Sequence, residues 1–468
     1  MFVNRKTEIS RLQRALNQEK AQLIVLYGRR RCGKSTLLKR IMKNGSVYFS
    51  ADMREMPLQI KAFSERIDKQ VRGFSAPVYP GWDSALRSLN RSLNSRITVC
   101  IDEFPYLVKN APELPSILQN IHDDDAHSNY DLILCGSSQM MMHDMVLNRN
   151  APLYGRAGEI MKINPMSVYY LMRYLKVTAV EAVTEYSIWG GVPRYWEIRK
   201  TAETLDEALS YHVVNQHGLL ADEPERLFSD EIRTSVQAYT LLSLIGSGCH
   251  RLSEFASRMG KPSTHLSGVL AFLAELKYIR REIPFGESLR STKKTLYKIN
   301  DPFLNFWFTF IVPEKSRIDL GLTSQILKRI TRNLPSFTAN TWEELCRQAV
   351  PFLISGTEFR PASRWWGKGH DGSSLEIDVI AESVDGKKLL IGESKWADSV
   401  NISYEINKLI NKTSNVPFLK GEKIIHALFL KHKPDLSPPG VLIFGPEDVI
   451  DSFQGKGSDS GFLISGKN

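Results

Sequence analysis

The sequence is short of the features that mark secreted, membrane-spanning and zinc-binding proteins. Its five cysteines are odd in number and scattered, and no two form a CxxC pair, so neither a disulfide framework nor a zinc site is predicted. HxH and HExxH patterns are missing as well. No apolar run approaches the length of a membrane span, and the first residues lack the apolar core of a secretory signal. We therefore expect a cytoplasmic protein with reduced thiols and no membrane partner.

What the sequence does contain is an ordinary globular composition over 468 residues, 42% hydrophobic and 24% charged. This length favours several domains. Lys and Arg total 61 against 51 Asp and Glu, which gives a net charge of +10. Such a basic excess permits a polyanionic partner, although it is also common in proteins that bind no nucleic acid.

The most specific stretch begins at Gln22 and reads QLIVLYGRRRCGKSTLLKRIM. An apolar strand runs into a loop that fits GxxxxGK[ST], and helical spacing follows. The N–H groups of such a loop surround phosphate oxygens, while the next helix directs its positive end at the same anion. Lys34 can reach the β- and γ-phosphates, and Ser35 can ligate Mg²⁺. The pattern predicts ATP and Mg²⁺ as cofactors, bound by Gly28, Arg29, Arg30, Arg31, Cys32, Gly33, Lys34, Ser35 and Thr36.

Two further strand-like runs end in polar residues. RITVCIDEFPYL ends in Asp102 and Glu103, which we interpret as the acid on the metal side and the general base for hydrolysis. DLILCGSSQMM runs into Ser137 and Ser138. A hydroxyl at this place, Ser138 in our prediction, senses the γ-phosphate in AAA+-type ATPases, and a simple Gly-Ser turn explains the pattern equally well. Strands that alternate with helices indicate a parallel α/β sheet with nucleotide at the carboxyl ends of its strands.

Four motifs carry a resemblance to a known family. FVNRKTEISRL, GRRRCGKS, APLYGR and WGGVPRYW together resemble the archaeal-type AAA+/STAND-related ATPases, which are also widespread in bacteria. The resemblance implies that Phe2, Arg5 and Glu8 lie near the adenine, and that WGGVPRYW lies in a helical lid. It makes Arg156 a candidate for contact with the γ-phosphate of its own or a neighbouring subunit's nucleotide. A surface arginine is an equal alternative, and a trans-acting Arg156 would require a homo-oligomer.

The middle of the chain reads as a winged helix-turn-helix. Three helix-like runs from Thr234 are followed by two strand-like runs around a basic loop that ends near Asn300. Basic side chains on such a wing suit phosphate contacts, and the third helix is poor in residues that read base edges. The alternative is a winged helix that serves only for packing. We predict DNA as a partner, contacted through Arg280, Arg281, Arg290, Lys293 and Lys294.

A predicted hairpin, EIDVIAESVDGKKLLIGESKW, carries the second candidate site. Asp378 lies on its first arm, and Glu393 and Lys395 lie two apart on the second, so that these two share a face. Two carboxylates suit Mg²⁺ or Mn²⁺. A metal there would activate water against a phosphodiester, and Lys395 would orient that water or stabilise developing charge.

With TWEELCRQAV and SRWWGKG upstream, this hairpin is similar to the PD-(D/E)xK nuclease-like domain that accompanies these ATPases. The resemblance implies Glu343 as a further metal ligand on a helix. The sequence departs from the signature at Ile377, where the motif has proline. Because nuclease-like domains also survive as inactive DNA-binding or assembly modules, both readings stay open.

The fold class that we expect is multidomain α/β. An AAA+-type P-loop core is followed by a helical lid, a winged helix-turn-helix and a restriction-endonuclease-like domain. We expect an ATPase that binds DNA and cleaves it with Mg²⁺ or Mn²⁺, with genome defence as one setting. The alternatives are a STAND-like switch and a DNA-binding regulator with a silent C-terminal domain. The predicted boundaries are 1–163 for the core, 164–230 for the lid, 231–300 for the winged helix, 301–335 for a junction and 336–468 for the nuclease-like domain.

Overall fold

The computed structural model describes residues 3–124, 128–231, 235–288, 292, 294–436 and 438–455. They fall into two units that divide between Pro165 and Met166. Phe2, Arg290 and Lys293, for which roles were predicted, lie outside the described residues. Within the described ranges, no helix is long and apolar enough to cross a membrane.

The first unit is built on a parallel sheet with the strand order β2-β3-β4-β1-β5. Its central strands are nearly continuous apolar runs, which is typical of a parallel sheet covered by helices on both faces. The strand β4 lies between β1 and β3, so the strand before the phosphate loop and the strand that ends in Asp102 are not neighbours. The strands are β1 (Leu23–Tyr27), β2 (Val47–Ser50), β3 (Ile97–Asp102), β4 (Tyr130–Gly136) and β5 (Glu159–Lys162).

Helices connect and cover these strands, which confirms the α/β class with a P-loop core. One apolar core joins the sheet to the helices around it, and it includes the buried aromatic residues Phe49, Phe63 and Trp82. The helices are α1 (Lys6–Leu16), α2 (Lys34–Ile41), α3 (Met56–Asp68), α4 (Trp82–Ser92), α5 (Phe104–Asn110), α6 (Leu114–Asp124) and α7 (Gln139–Met142), and a π-helical turn follows at His143–Leu147.

The second unit begins with short helices that contain the WGGVPRYW motif. Gly190 has a φ of 57°, a conformation that favours glycine, and its carbonyl accepts a 2.7 Å hydrogen bond from Trp196 Nε1. The motif therefore forms a tight turn between two helices, and Trp189 and Trp196 are fully buried. The helices are α8 (Val168–Leu175), α9 (Ala179–Trp189), α10 (Pro193–Arg199), α11 (Leu205–His212) and α12 (Glu223–Glu231).

Three helices and a two-stranded antiparallel sheet follow, in the order predicted for a winged helix. They are α13 (Ser235–Gly246), α14 (Leu252–Met259), α15 (Ser263–Glu275), β6 (Ile279–Glu282) and β7 (Leu296–Ile299). The aromatic junction then forms α16 (Pro302–Phe306), a π-helical turn (Trp307–Ile311), a 3₁₀ turn (Val312–Glu314) and α17 (Lys315–Asp319). The winged-helix interpretation itself stays a prediction.

The long helix α18 (Thr323–Leu353) leads into the C-terminal sheet. It packs first against α9 and α11 and then against the strands β9 and β10. The sheet has the order β12-β11-β10-β9-β8, with β8, β9 and β10 antiparallel and β10, β11 and β12 parallel. The elements are β8 (Ser363–Lys368), β9 (Ser374–Glu382), β10 (Lys388–Lys395), α19 (Ile402–Asn415), β11 (Lys423–Leu430), β12 (Val441–Phe444) and α20 (Pro446–Asp451).

Candidate functional site

The phosphate loop lies at the carboxyl end of β1, and its glycines have definite structural reasons. Gly28 has a φ of 145°, and a Cβ atom there would collide with the carbonyl oxygen of Ile163. Gly33 has a φ of 89° and begins α2, so both positions require glycine. Lys34 is buried, and its Nζ donates to the carbonyl oxygens of Gly28 at 2.7 Å and Arg29 at 3.1 Å. The ammonium group therefore sits inside the arc that would surround a phosphate.

The carboxylate of Asp102 is held at the end of β3 by two hydroxyl groups. Ser35 Oγ donates to Asp102 Oδ2 at 2.7 Å, and the hydroxyl of Tyr48 on β2 donates to the same oxygen. Asp102 is buried. Burial and the neighbouring Asp102 charge raise the pKa of Tyr48, so its hydroxyl remains a donor at neutral pH. The oxygen donors of Ser35 and Asp102 suit Mg²⁺, which proteins bind through one or two such groups together with water and phosphate.

Glu103 follows with a φ of 55°, a strained conformation of the kind that clusters at functional sites. Its carboxylate accepts a 2.9 Å hydrogen bond from the buried Ser137 at the end of β4. Ser138, the predicted sensor, accepts a hydrogen bond from the backbone N–H of Met141 at 3.4 Å. Ser137 is thus the hydroxyl that reaches the proposed base. The sequence prediction named Ser138 as the γ-phosphate sensor, and that role stays a prediction, whereas the contact of Ser137 with Glu103 was not predicted.

Arg5 and Arg156, which were both named through the family resemblance, lie in different parts of the first unit. Arg5 is buried and donates to the phosphate-loop carbonyl of Cys32 at 3.1 Å, to Asn164 O at 2.8 Å and to Glu8 at 2.8 Å. It therefore anchors the first helix to the loop. The adenine-side role of Arg5 and Glu8 stays a prediction.

Arg156 lies at the amino-terminal end of the sheet, whereas the phosphate loop lies at the carboxyl-terminal end. It pairs with Asp123 at 2.7 Å and lines a cavity of about 330 Å³ together with Gln22 and Tyr130, which mark the amino ends of β1 and β4. The phosphate loop follows the carboxyl end of β1, about 16 Å away across a five-residue strand. Arg156 is therefore too far from its own phosphate loop to contact a γ-phosphate there, which corrects that expectation. The neighbouring-subunit role stays a prediction.

Tyr48 was missed by sequence reasoning, because nothing local links a tyrosine on β2 to Asp102. We expect Tyr48→Phe to raise the Mg²⁺ concentration for half-maximal ATP hydrolysis about fivefold, since a charge-assisted hydrogen bond that orients Asp102 is lost. ATP affinity without Mg²⁺ should not change. Magnesium titrations of the hydrolysis rate test this. Tyr79→Phe is the matched control, because the Tyr79 hydroxyl donates to Phe74 O at 2.9 Å. An unchanged magnesium requirement in Tyr48→Phe would exclude this orienting role.

In the second unit the predicted hairpin is present as the antiparallel pair β9 and β10. The carboxylate of Asp378 on β9 accepts a 3.0 Å hydrogen bond from the backbone N–H of Ser394 on β10. Glu393 is buried, and its Oε2 lies 3.3 Å from Lys395 Nζ. Glu343 projects from α18, which packs on both strands. The structure therefore brings together the four residues that were predicted for this site.

The carboxylate of Asp378 repels those of Glu343 and Glu393 electrostatically. Burial and the charge of Asp378 raise the pKa of Glu343 and also that of Glu393. Burial alone would lower the pKa of Lys395, but the carboxylates of Glu393, Asp378 and Glu405 raise it, so that the ammonium stays charged. Mutual repulsion of this kind is typical of functional sites, and a divalent cation would relieve it.

In the described part of the chain, no three acidic, histidine or cysteine side chains converge closely enough to enclose a metal ion. The two carboxylates of Asp378 and Glu393 still fit Mg²⁺ or Mn²⁺, which take most of their remaining ligands from water and phosphate. The buried Oε2 of Glu405 accepts no hydrogen bond from the described residues, and it lies 3.6 Å from Lys395 Nζ. The donor set therefore suits a cation that shares its coordination with substrate.

Two basic residues at this site were not found from the sequence. Lys412 on α19 donates to Glu393 Oε1 at 2.7 Å. Arg347 on α18 donates to the backbone carbonyl of Asp378 at 2.9 Å and lies 3.7 Å from Glu343. Arg347 stands four residues after Glu343, a spacing that places both on one helix face. This spacing is the sequence signal that could have identified Arg347 as a site residue.

Of the residues predicted to bind DNA, Arg280 is engaged inside the molecule. Its guanidinium pairs with Glu282 at 2.9 Å and with Glu344 on α18 at 3.1 Å. Glu282 also contacts Lys298 at 3.5 Å and Arg364 on β8 at 3.4 Å. This set, which we call the wing network, holds β6 against the C-terminal sheet. It corrects the expectation that Arg280 presents its charge to phosphate.

The other described residues that were predicted to contact DNA are open to solvent. Arg281 is exposed, and Lys294 is half-exposed and pairs with Glu287 at 2.6 Å. Exposed ion pairs of this kind are weak, so both side chains are available for phosphate contacts, and their role in binding DNA stays a prediction.

The wing network predicts a pH-dependent stability. Burial would raise the pKa of Glu344, but the guanidinium groups of Arg280 and Arg347 lower it to about 2. Its stabilisation is therefore present above the usual pKa near 4.5 and is lost as pH falls toward 2. Linkage gives an upper value of about 3 kcal/mol. We expect the free energy of unfolding in urea to fall from pH 5 to pH 3, with a shallower decline in Glu344→Gln. Equal pH slopes in wild type, Glu344→Gln and the exposed control Glu358→Gln would contradict the prediction.

Comparisons with known proteins agree with this architecture. A family model described as an ATPase domain predominantly from Archaea matches residues 2–197. A model described as archaeal and bacterial proteins of unknown function matches residues 307–408. An uncharacterised protein of Methanocaldococcus jannaschii is 29% identical over 408 residues, which cover 85% of this chain and 88% of the relative.

An uncharacterised ATP-binding protein of the same organism is 53% identical over 47 residues, 10% of this chain and 80% of the relative. Among solved structures, a Walker-type ATPase of Pyrococcus abyssi is similar with a TM-score of 0.50 and 21% sequence identity, and the match covers 66% of this chain and 96% of that chain. This structural likeness supports the fold.

The phosphate loop, the parallel sheet with β4 inserted between β1 and β3, and the Ser35–Asp102 pair define a P-loop ATPase with AAA-like features. Residues 2–197 are similar to the archaeal ATPase domain, and residues 307–408 are similar to the family of unknown function.

Proposed function

We propose that this ATPase binds DNA and cleaves it with Mg²⁺ or Mn²⁺ through its C-terminal domain, under the control of its nucleotide cycle. One observation carries the cleavage proposal. Asp378, Glu393 and Lys395 on two paired strands and Glu343 on a helix share a partly buried site, in which burial and the charge of Asp378 raise the pKa of Glu343 and of Glu393. This donor set suits metal-assisted hydrolysis of a phosphodiester. The presence of both sites in one chain supports nucleotide control.

At the first site the roles follow from the contacts. Ser35 and Asp102 would hold Mg²⁺, which supplies a positive charge next to the β- and γ-phosphates when it is bound. Lys34 would neutralise the same phosphates. Glu103 would accept the proton of the attacking water, and its hydrogen bond from Ser137 would keep the carboxylate in place.

At the second site Asp378 and Glu393 would hold the cation, and Glu343 would reach it through a bound water. A bound divalent cation polarises a phosphodiester and lowers the pKa of water. Lys395 stays protonated between its carboxylate neighbours and would stabilise negative charge that develops on the phosphate. Arg281 and Lys294 would add phosphate contacts that do not depend on base sequence.

The test is incubation of the full chain with supercoiled plasmid and Mg²⁺ or Mn²⁺, with and without ATP, followed by gel electrophoresis. Nicked or linear products that require metal support the proposal. Their absence under every condition overturns cleavage.

A second candidate function has its own support, since Glu393 is already neutralised by two lysines. On this alternative the C-terminal domain is catalytically silent, and the protein is an ATP-dependent switch or DNA-binding regulator. Nucleotide-dependent assembly that is lost in Lys34→Ala, without plasmid cleavage, would favour it. The same assembly measurement would test a trans-acting Arg156 in a homo-oligomer.

A further inference from the structure

Each carboxylate oxygen of Glu393 faces its own lysine. Lys395 Nζ lies 3.3 Å from Oε2, and Lys412 Nζ lies 2.7 Å from Oε1. The two lysines are held differently. Lys395 is flanked by a second carboxylate, that of Glu405 at 3.6 Å. The other contact of Lys412 is the neutral backbone carbonyl of Glu376, at 2.8 Å.

This difference decides which lysine can leave when a cation arrives. A divalent cation on Glu393 would repel an ammonium group that contacts the same carboxylate. Lys395 keeps a carboxylate partner in Glu405 after such a change, whereas the contact that remains for Lys412 among the described residues is the carbonyl of Glu376. Lys412 also has a flexible stem that lets its charged head move away.

The exposed face of α19 beside Lys412 indicates where its ammonium group would move. Lys408 lies one turn earlier on α19, a spacing that puts it on the same face, and its side chain is exposed. Tyr404, a further turn back, is 60% exposed. This face of α19 therefore continues from the carboxylates to solvent as a basic and aromatic strip. Such strips suit a single nucleic-acid strand, with phosphates on lysines and a base on an aromatic ring.

We propose that Lys412 is a metal-displaced substrate lysine. It occupies Glu393 until a divalent cation binds there, and it then turns to a phosphate of a nucleic-acid strand that lies along α19. The proposal rests on the nuclease function proposed above and adds a binding residue and a strand path. It also explains why Glu393 has two ammonium partners, of which the metal-bound site needs only one.

The experiment measures metal binding and strand binding separately from cleavage. All proteins carry Asp102→Asn to weaken metal binding at the ATPase site, and Mn²⁺ is titrated calorimetrically without nucleotide. Because its competitor is removed, Lys412→Met should bind Mn²⁺ about tenfold more tightly, and Lys387→Met, in the exposed hairpin turn, should not. Unchanged or weaker Mn²⁺ binding in Lys412→Met would overturn the exchange.

The second arm uses Lys395→Met, in which cleavage is suppressed, and a fluorescent single-stranded oligonucleotide followed by anisotropy. Adding Lys412→Met should weaken binding about tenfold with Mn²⁺ present and leave it unchanged without metal. Equal effects in both conditions, or none in either, would refute the substrate role.

If the wild-type protein never cleaves DNA while Lys412→Met still binds Mn²⁺ more tightly, the proposed nuclease function fails and the displacement of Lys412 by the cation stands. If DNA is cleaved while Lys412→Met leaves the Mn²⁺ affinity unchanged, only the Lys412 proposal fails. Thermal melting of each variant checks its folding.

Discussion

Replacing Glu103 by glutamine is expected to lower the rate of ATP hydrolysis roughly 10²- to 10⁴-fold, the usual contribution of a general base. ATP binding should change little, because the phosphate loop and the Ser35–Asp102 pair are untouched. The amide can also keep the hydrogen bond from Ser137, so the side chain retains its place and loses only its ability to take a proton. Steady-state phosphate release, measured beside equilibrium binding of a fluorescent ATP analogue, separates the two effects.

Glu113→Gln makes the same chemical change at an exposed position after α5 and should hydrolyse ATP at the wild-type rate. A Glu103→Gln protein that retains hydrolysis within a few-fold of wild type would remove Glu103 from the chemistry. A parallel loss of binding and hydrolysis would instead indicate that the strained turn at Glu103 had been disturbed.

Lys395→Met is expected to reduce metal-dependent cleavage of plasmid DNA by about 10²-fold or more, since a preorganised positive charge beside the reacting phosphate is removed. Glu393→Gln should reduce it at least as far, because it removes one of two carboxylates available to the cation. The ATPase rate should stay at the wild-type value in both variants. Initial rates of plasmid nicking at saturating Mn²⁺ are the measurement.

Lys387→Met provides the matched control, since Lys387 lies in the exposed turn of the same hairpin. Cleavage that survives both Lys395→Met and Glu393→Gln would place the reaction elsewhere or reveal a contaminating nuclease. Full activity in Lys387→Met together with lost activity in the other two assigns the chemistry to these strands.

The parts of this architecture that sequence could predict are those in which neighbours along the chain are neighbours in space. The phosphate loop is one such part, because strand, glycines, Lys34 and helix follow one another directly. The β9–β10 hairpin is another, since Asp385-Gly386 forms the turn and period-two spacing places Glu393 and Lys395 on one face.

The parts that sequence could not predict depend on long-range pairing. Arg280 carries the charge expected of a wing residue, yet its nearest acids include Glu344 on a distant helix. Tyr48 reaches Asp102 only because β2 pairs with β3. Arg156 follows a family motif, but the direction of β5 places it at the amino end of the sheet. The order of residue types along the chain does not reveal which residues from distant segments lie close together in space.

The helix α18 joins two parts of the second unit in a way that has a mechanical consequence. Its first half packs on α9, where Ser187 and Thr338 meet in a buried 3.3 Å contact, and its second half carries Glu343. Pro335 within the helix removes one backbone hydrogen bond and makes a preferred point of bending. Glu343 lies about 12 Å beyond Pro335 along the axis, so a bend of about 5° there displaces its carboxylate by about 1 Å. Displacements of that size can change reaction rates about 10²-fold. Through α18, small rotations of the helices around WGGVPRYW would therefore change the position of the Glu343 carboxylate enough to affect the chemistry of its site.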